Sequence, residues 1–418
     1  MDKIIVDGPC KLEGSVKISK AKNAYLPILS GVLLSDKKIT LNEIPNLRDI
    51  NTMLTLLGNL GVGIERNGDS VVLDPSTLNS HEATYDLVKT MRASIFTLGP
   101  ILTRLHKAKV SLPGGCAIGT RPIDLHLSNL EKMGAKITLE GGYVYAETDG
   151  PLKGAHLVLA FPSVGATENL MMAAVFAEGI TTIENAALEP EIDDLANFLN
   201  AMGAKVTGIG TKKIQIEGVK ELHEVNYTAI GDRIEAATYI MAALATKSNV
   251  KVTDFNPSHL EFVLDELKTM GAKLNIGDNF VEVLPSDLKA CKVDTAPFPG
   301  FPTDVQAQMM ALVTQVKGSS IITEHIFENR FMHVPELNRL GAHIELKGNT
   351  AFVEGESKLK GAPVMCTDLR ASAALIIAAL ASEGKTEISR VYHLDRGYDN
   401  LASKLQDLGA KITRSAES

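Results

Sequence analysis

A lone thiol sits in the segment Pro113-Gly114-Gly115-Cys116-Ala117-Ile118-Gly119-Thr120-Arg121-Pro122-Ile123-Asp124, five residues before an arginine. The glycines free the backbone to bend and to approach a ligand closely. The guanidinium supplies a fixed cationic fork for phosphate or carboxylate. A nearby cation also holds a thiol closer to ionisation, so that it can give or take a proton. Such a loop reads as a mobile catalytic lid over an anion. Its G-x-x-x-x-G spacing is not a P-loop, because the Lys and following Ser/Thr are missing. Two further cations stand in apolar surroundings, Arg92-Ala93-Ser94-Ile95-Phe96 and Arg370-Ala371-Ser372-Ala373-Ala374. Buried cations need partners, and a bound anion would be one. Asp304 heads an apolar run (Val305, Met309, Leu312, Val313), a place where aspartate is most often a helix N-cap.

The rest of the chain has to position these groups. With 418 residues it is long for a single core, and two domains are expected. A net charge of −8 argues against nucleic acid or an anionic membrane as partner. An anionic ligand therefore needs a local cluster of Lys and Arg. The most apolar run, Ala371 to Ala381, is far shorter than the ~20 residues of a membrane helix. The opening residues have no signal-peptide core. The cysteines at 10, 116, 291 and 366 form no CxxC, which suits free thiols in a reducing cytoplasm. The 10 histidines include no HExxH or paired ligand spacing, so neither a metal nor another cofactor is expected.

An internal repeat organises the chain. A Leu/Met-Gly-Ala-like tripeptide recurs with its glycine at 61, 134, 203, 271, 341 and 409, at spacings of 73, 69, 68, 70 and 68 residues. Copy three shows the unit most plainly. It reads as a strand over 156–161, a buried helix over 164–178 stopped by Gly179, and a β-branched strand over 180–184. A helix over 191–202 follows, with Gly203 as its cap, and then two short strands over 205–207 and 213–217. The order is βαβαββ. Six copies divide into two domains of three. The last copy has only one strand after Gly409, and the N-terminal segments at 4–6 and 15–18 are spare strands that could complete it.

The loops before each second helix gather polar residues. Arg48, Arg121 and Arg396 each lie 13 residues before the repeat glycine at 61, 134 and 409. Packed around a pseudo-threefold axis, these loops share one end of a domain, where helix N-termini also favour anions.

Lys22-Asn23, the Cys116 loop, Ser163-Val164-Gly165, Pro302-Thr303-Asp304, Phe327-Glu328-Asn329-Arg330, Leu369-Arg370 and Asp395-Arg396-Gly397 together resemble the UDP-N-acetylglucosamine enolpyruvyl (1-carboxyvinyl) transferases of the EPSP synthase-like superfamily. The resemblance runs over essentially the whole chain. It implies two inverse α/β barrel-like domains, each of three βαβαββ repeats, with boundaries at 22–229 and at 1–21 plus 230–418, and ligands in the cleft between them. It also implies transfer of the enolpyruvyl group of phosphoenolpyruvate to the sugar 3′-hydroxyl of UDP-N-acetylglucosamine, the first committed step of peptidoglycan synthesis. A C–O bond breaks, so no metal clamp is required.

The roles it implies are specific. Cys116 is the general acid at the methylene carbon and the target of the epoxide fosfomycin. Asp304 is the base for the attacking hydroxyl, a role compatible with capping. Lys22, Arg121 and Arg396 meet the phosphate or carboxylate of phosphoenolpyruvate. Arg370 assists at the carboxylate, and Arg92 holds the closed lid. Asn23 orients the sugar or simply caps a helix. Arg121-Pro122-Ile123-Asp124-Leu125 resembles a uridine-binding segment, Ser163-Val164-Gly165 a diphosphate contact at a capped helix start, and Ile326 joins the substrate-binding set. Arg330 steadies the cleft wall. Glu189 and Glu191 are structural or link the domains.

Two departures stand out. Lys20 replaces a glycine common in the family, and Phe161-Pro162 replaces a basic residue before Ser163. Two rival readings remain: the shikimate-pathway sister enzyme, opposed by the Cys116 loop and the uridine-like segment, and a UDP-sugar-binding regulator without turnover.

Overall fold

The computed structural model describes residues 2–85, 91–112 and 123–416. These fall into two compact units, one built from residues 2–19 and 231–416, the other from residues 20–112 and 123–230.

The repeat is realised as expected, βαβαββ, and each copy yields one four-stranded sheet. In copy three, strand His156–Val158 runs parallel to Ile180–Glu184. That strand pairs antiparallel with Lys213–Glu217, which pairs in turn with Lys205–Thr207. The same order, one parallel pair followed by two antiparallel ones, recurs in all six sheets. The six repeat glycines all adopt positive φ, from +93° to +109°. Only glycine takes that conformation without a Cβ penalty, which explains why the repeat is visible as a glycine at all.

Strands are borrowed across the chain. Val225–Tyr227 supplies the outer parallel strand beside Ile39–Leu41 in copy one. Glu13–Lys17 does the same beside Asn249–Thr253 in copy four. Asp2–Gly8 inserts between Gly384–Ser389 and Ile412–Ala416 in copy six. Of the two spare N-terminal segments, one completes copy six and the other copy four.

No sheet among the described residues closes into a barrel; the six remain separate. Within each unit, the first helices of the repeats pack on one another in the middle and the sheets lie outside. In the unit holding residues 231–416 these helices are Arg233–Ala245, Thr303–Val313 and Leu369–Ala381, buried nearly all round. Their Ala- and Met-rich composition follows from this, because a helix with neighbours on every side has no solvent face to fill with charge. The strands instead alternate buried and exposed residues, with the apolar face on the helices and the polar face in water. The charged side chains of these three helices, Arg233, Glu235, Asp304 and Arg370, all sit within the first turn.

Among the described residues, no helix is long and apolar enough to cross a membrane. No group of three or more His, Cys, Asp or Glu among them could hold a metal ion.

Candidate active site

Asp304 is the second residue of helix Thr303–Val313. The N-cap is Pro302, and no side chain caps this helix end. Asp304 is therefore not a capping residue, which corrects the composition-based expectation. Its carboxylate is held by two arginines instead. Arg330 Nη2 donates to Oδ1 at 2.8 Å and Arg370 Nη2 donates to Oδ2 at 3.1 Å. The arginine side chains are 5% and 3% exposed, whereas that of Asp304 is 28% exposed. The pair is thus buried on the cationic side and open on the anionic side.

Arg370 is the second residue of helix Leu369–Ala381, whose N-cap Asp368 accepts from the Arg370 and Ala371 backbone N–H groups at 2.8 and 3.0 Å. Burial works against the Arg370 charge, but Asp304, Tyr398 and Asp232 outweigh it, and the net shift of its pKa is upward. Its guanidinium lies 5.5 Å from the centre of the Tyr398 ring. One further nitrogen on each arginine, Nη1 of Arg330 and of Arg370, is buried without a hydrogen-bond partner. Two cations with spare donors beside a half-open carboxylate suit a ligand that presents a hydroxyl and an anion together.

Arg396 ends the 3-10 turn Val391–Arg396 and is half-buried. Its neighbours fix the turn. Asp395 takes a two-pronged contact from Arg414 at 2.6 and 2.7 Å. A Cβ on Gly397 would lie 2.6 Å from Leu369 Cδ2, so glycine lets the turn close onto the helix end that carries Arg370. Ile326 donates its backbone N–H to Glu324 at 2.8 Å.

In the other unit, Lys22 opens helix Lys22–Gly31 and lies 3.5 Å from Asp49, in the first turn of Arg48–Asn59. Asn23 is the second helical residue and makes no cap bond. Lys20 lies 3.6 Å from Glu43, so this extra lysine has a carboxylate of its own. Ser163 caps Val164–Ala173, accepting from Ala166 N at 3.3 Å. A Cβ on Gly165 would sit 3.1 Å from the Phe96 ring and 3.4 Å from His126. His126 is buried, accepts from Asn169 Nδ2 at 3.0 Å, and is pushed down to about 4 by burial. Phe161 is 51% exposed. Ile123 precedes helix Asp124–Lys132, and Leu125 lies half-buried against the core.

Cys116, Arg121, Pro122 and the rest of segment 113–122 lie outside the described residues, as does the side chain of Arg92. The remaining cysteines are packing residues. Cys10 and Cys366 are buried, and burial pushes the thiols up, to about 11 for Cys291 and about 12 for Cys366.

One rule emerges that spacing alone had missed. The charged residue at the start of a buried first helix meets the entry to the second helix of the same repeat, its first turn or the loop before it. Lys22 meets Asp49, Asp304 meets Arg330, and Arg370 meets Tyr398. The 13-residue spacing before the repeat glycine marks Arg48 and Arg396, one and two residues before Asp49 and Tyr398, and none of these partners themselves.

The chain belongs to the EPSP synthase (3-phosphoshikimate 1-carboxyvinyltransferase) family, whose model matches residues 6–405. It is 53% identical over 416 residues to a UDP-N-acetylglucosamine 1-carboxyvinyltransferase of Acinetobacter baylyi, covering 99% of this chain and 100% of that one. It is 54% identical over 417 residues to the protein of the same name from Pseudoalteromonas atlantica, with the same coverage. Among solved structures, it resembles the enolpyruvyl transferase NikO from Streptomyces tendae (TM-score 0.90, 24% identity, 100% of this chain and 99% of that one). It also resembles EPSP synthase from Acinetobacter baumannii (TM-score 0.78, 17% identity, all of both chains). These structural likenesses bear on the fold.

Proposed function

We propose that this protein transfers the enolpyruvyl group of phosphoenolpyruvate to the 3′-hydroxyl of UDP-N-acetylglucosamine, releasing phosphate, as the entry reaction of peptidoglycan synthesis in the cytoplasm. The observation that carries this reading is the Asp304 carboxylate, held between Arg330 and Arg370 at the head of a buried helix. It stands in a chain that matches named UDP-N-acetylglucosamine 1-carboxyvinyltransferases end to end.

Asp304 accepts the hydroxyl proton as the sugar oxygen bonds to C2 of phosphoenolpyruvate. The Cys116 thiol delivers a proton to C3. The C2–O bond to phosphate then breaks, C3 gives up a proton, and the enolpyruvyl ether and inorganic phosphate result. Arg370, Arg396 and Lys22 hold the carboxylate and phosphate, and their charge stabilises the anionic leaving group. Asn23 orients the sugar. Ser163-Val164-Gly165 and the Arg121 to Leu125 segment hold the nucleotide, and Arg92 supports the lid. The reading draws on residues of both units.

The test is phosphate release from phosphoenolpyruvate with UDP-N-acetylglucosamine, with shikimate 3-phosphate as the alternative acceptor. Release with the UDP-sugar alone is expected. Release with shikimate 3-phosphate alone would assign the chain to the sister reaction, and release with neither would favour a binding protein.

A further inference from the structure

We propose that Glu324 is a positioning residue for the reaction, fixing from one buried point both the helix end that carries Asp304 and the loop that carries Arg330. The proposal rests on the reading of Asp304 as the base. Glu324 is 3% exposed and follows strand Ser319–Thr323. Its Oε1 accepts from Thr295 Oγ1 at 2.9 Å, Ile326 N at 2.8 Å and Phe327 N at 3.2 Å. Its Oε2 accepts from Thr303 Oγ1 at 2.9 Å and Gln306 Nε2 at 3.3 Å. Thr303 and Gln306 flank Asp304 on its own helix. Ile326 and Phe327 begin the loop that ends in Arg330, and Gln306 Nε2 also donates to the Arg330 carbonyl at 3.2 Å.

A neutral acceptor could satisfy these donors, but a carboxylate adds something more. Asp304 touches two buried cations, and one negative charge cannot balance two. Excess positive charge around a carboxylate favours its ionised form and makes it a poorer proton acceptor. Asp232 and Asp368 stand on the Arg370 side, and Glu324 places a further carboxylate on the Arg330 side, linked through neutral donors to the residue beside the base. Other charged or titratable groups around this cluster are Asp232 and Tyr398, which act on Arg370, His333 and Asp368, which lie beside Arg330 and Arg370, and His325 and Asp294, 3.3 Å apart next to Glu324 and Thr295.

The experiment compares Glu324→Gln with the full-length wild-type enzyme. The variant keeps the size and removes the charge. The expected result is a fall in kcat of about tenfold to a hundredfold per folded molecule, as for a base displaced by a fraction of an ångström. KM for both substrates should stay within about threefold. The acid limb of the kcat/KM profile should move to lower pH by about half a unit or more. A merely structural glutamate would lower Tm and leave kcat and the limb at wild-type values, and that outcome overturns the proposal. Thr303→Val removes one donor at a smaller cost to folding. It should lower kcat a few-fold, and a wild-type profile in it overturns the proposal should Glu324→Gln not fold. Asp304→Asn, assayed alongside, separates the two readings. Retained turnover there removes the base and this inference with it. A dead Asp304→Asn beside a wild-type Glu324→Gln removes this inference alone.

Discussion

Two buried first helices carry a carboxylate towards the loop that enters the next helix, and the two sites are opposites. On Thr303–Val313, Asp304 meets Arg330 and, from the adjoining repeat, Arg370. On Val164–Ala173, Glu168 is buried, and among the described residues the charged groups that act on it are Glu191 and Glu189. Burial first, and then those two carboxylates, push Glu168 well above the usual carboxylate range. Its Oε1 has no hydrogen-bond partner. The same repeat geometry thus holds one carboxylate against cations and the other among carboxylates, where burial and like charge favour its protonated form. What separates them is whether the neighbouring loop supplies arginine or glutamate, so the repeat provides the place and the loop provides the chemistry.

The sharpest way to break this comparison is the same change at both sites. Asp304→Asn should lower kcat by about 10²–10⁴-fold, the span expected for loss of a general base. Glu168→Gln should stay within about twofold of wild type, since burial and its two carboxylate neighbours favour the protonated acid, which an amide resembles. Equal losses in single-turnover assays would erase the distinction.

A smaller effect lies in stability. A carboxyl whose folded pKa is raised binds a proton more tightly when folded. Its stabilising contribution is complete below the unfolded value of about 4.3 and is lost as pH rises towards the folded value. Glu168→Gln should therefore gain on wild type from about pH 5 upwards, at about 2–4 °C of Tm for each kcal/mol. Melting curves at pH 5 and pH 8 check this, and a constant difference would mean that Glu168 is ionised.

The smallest effect concerns His126, pushed down to about 4 by burial. Its folded form prefers the neutral ring, so stability present above about 6.5 is lost as pH falls towards 4. His126→Gln should flatten that part of the acid unfolding profile. An unchanged slope between pH 6.5 and 4 would show that another group carries it.

Much of the fold was legible because it rests on backbone necessity. Each repeat needs a positive φ after its second helix, and glycine marks it. The strands at 180–184, 205–207 and 213–217 fall where β-branched alternation puts them. The helix expected over 164–178 ends at Ala173 and tightens into a 3-10 turn, Ala174–Phe176. A run apolar on every side carries no periodic signal to mark its last turn. At the site, Asp304 looked like a cap because position alone cannot distinguish the residue before a helix from one inside its first turn. Glu324 went unread because its partners come from three separate segments. The one local trace was Glu324-His325-Ile326-Phe327, a carboxylate placed to accept from the two N–H groups beyond it.

The insertion of Asp2–Gly8 between two late strands sets a schedule for synthesis. Gly8 pairs with Gly384, and Asp2 with Ala416. At about 5–20 residues per second, a ribosome leaves the first strand without either neighbour for roughly 20–75 s. The unit spanning residues 20–230 has all its strands by Tyr227 and can finish in the meantime. For that interval the nascent chain carries a β-strand with both edges unpaired, the kind of segment that recruits strangers. Asp2, Lys3 and Asp7, near the two ends of that strand, put charge on the segment that waits longest.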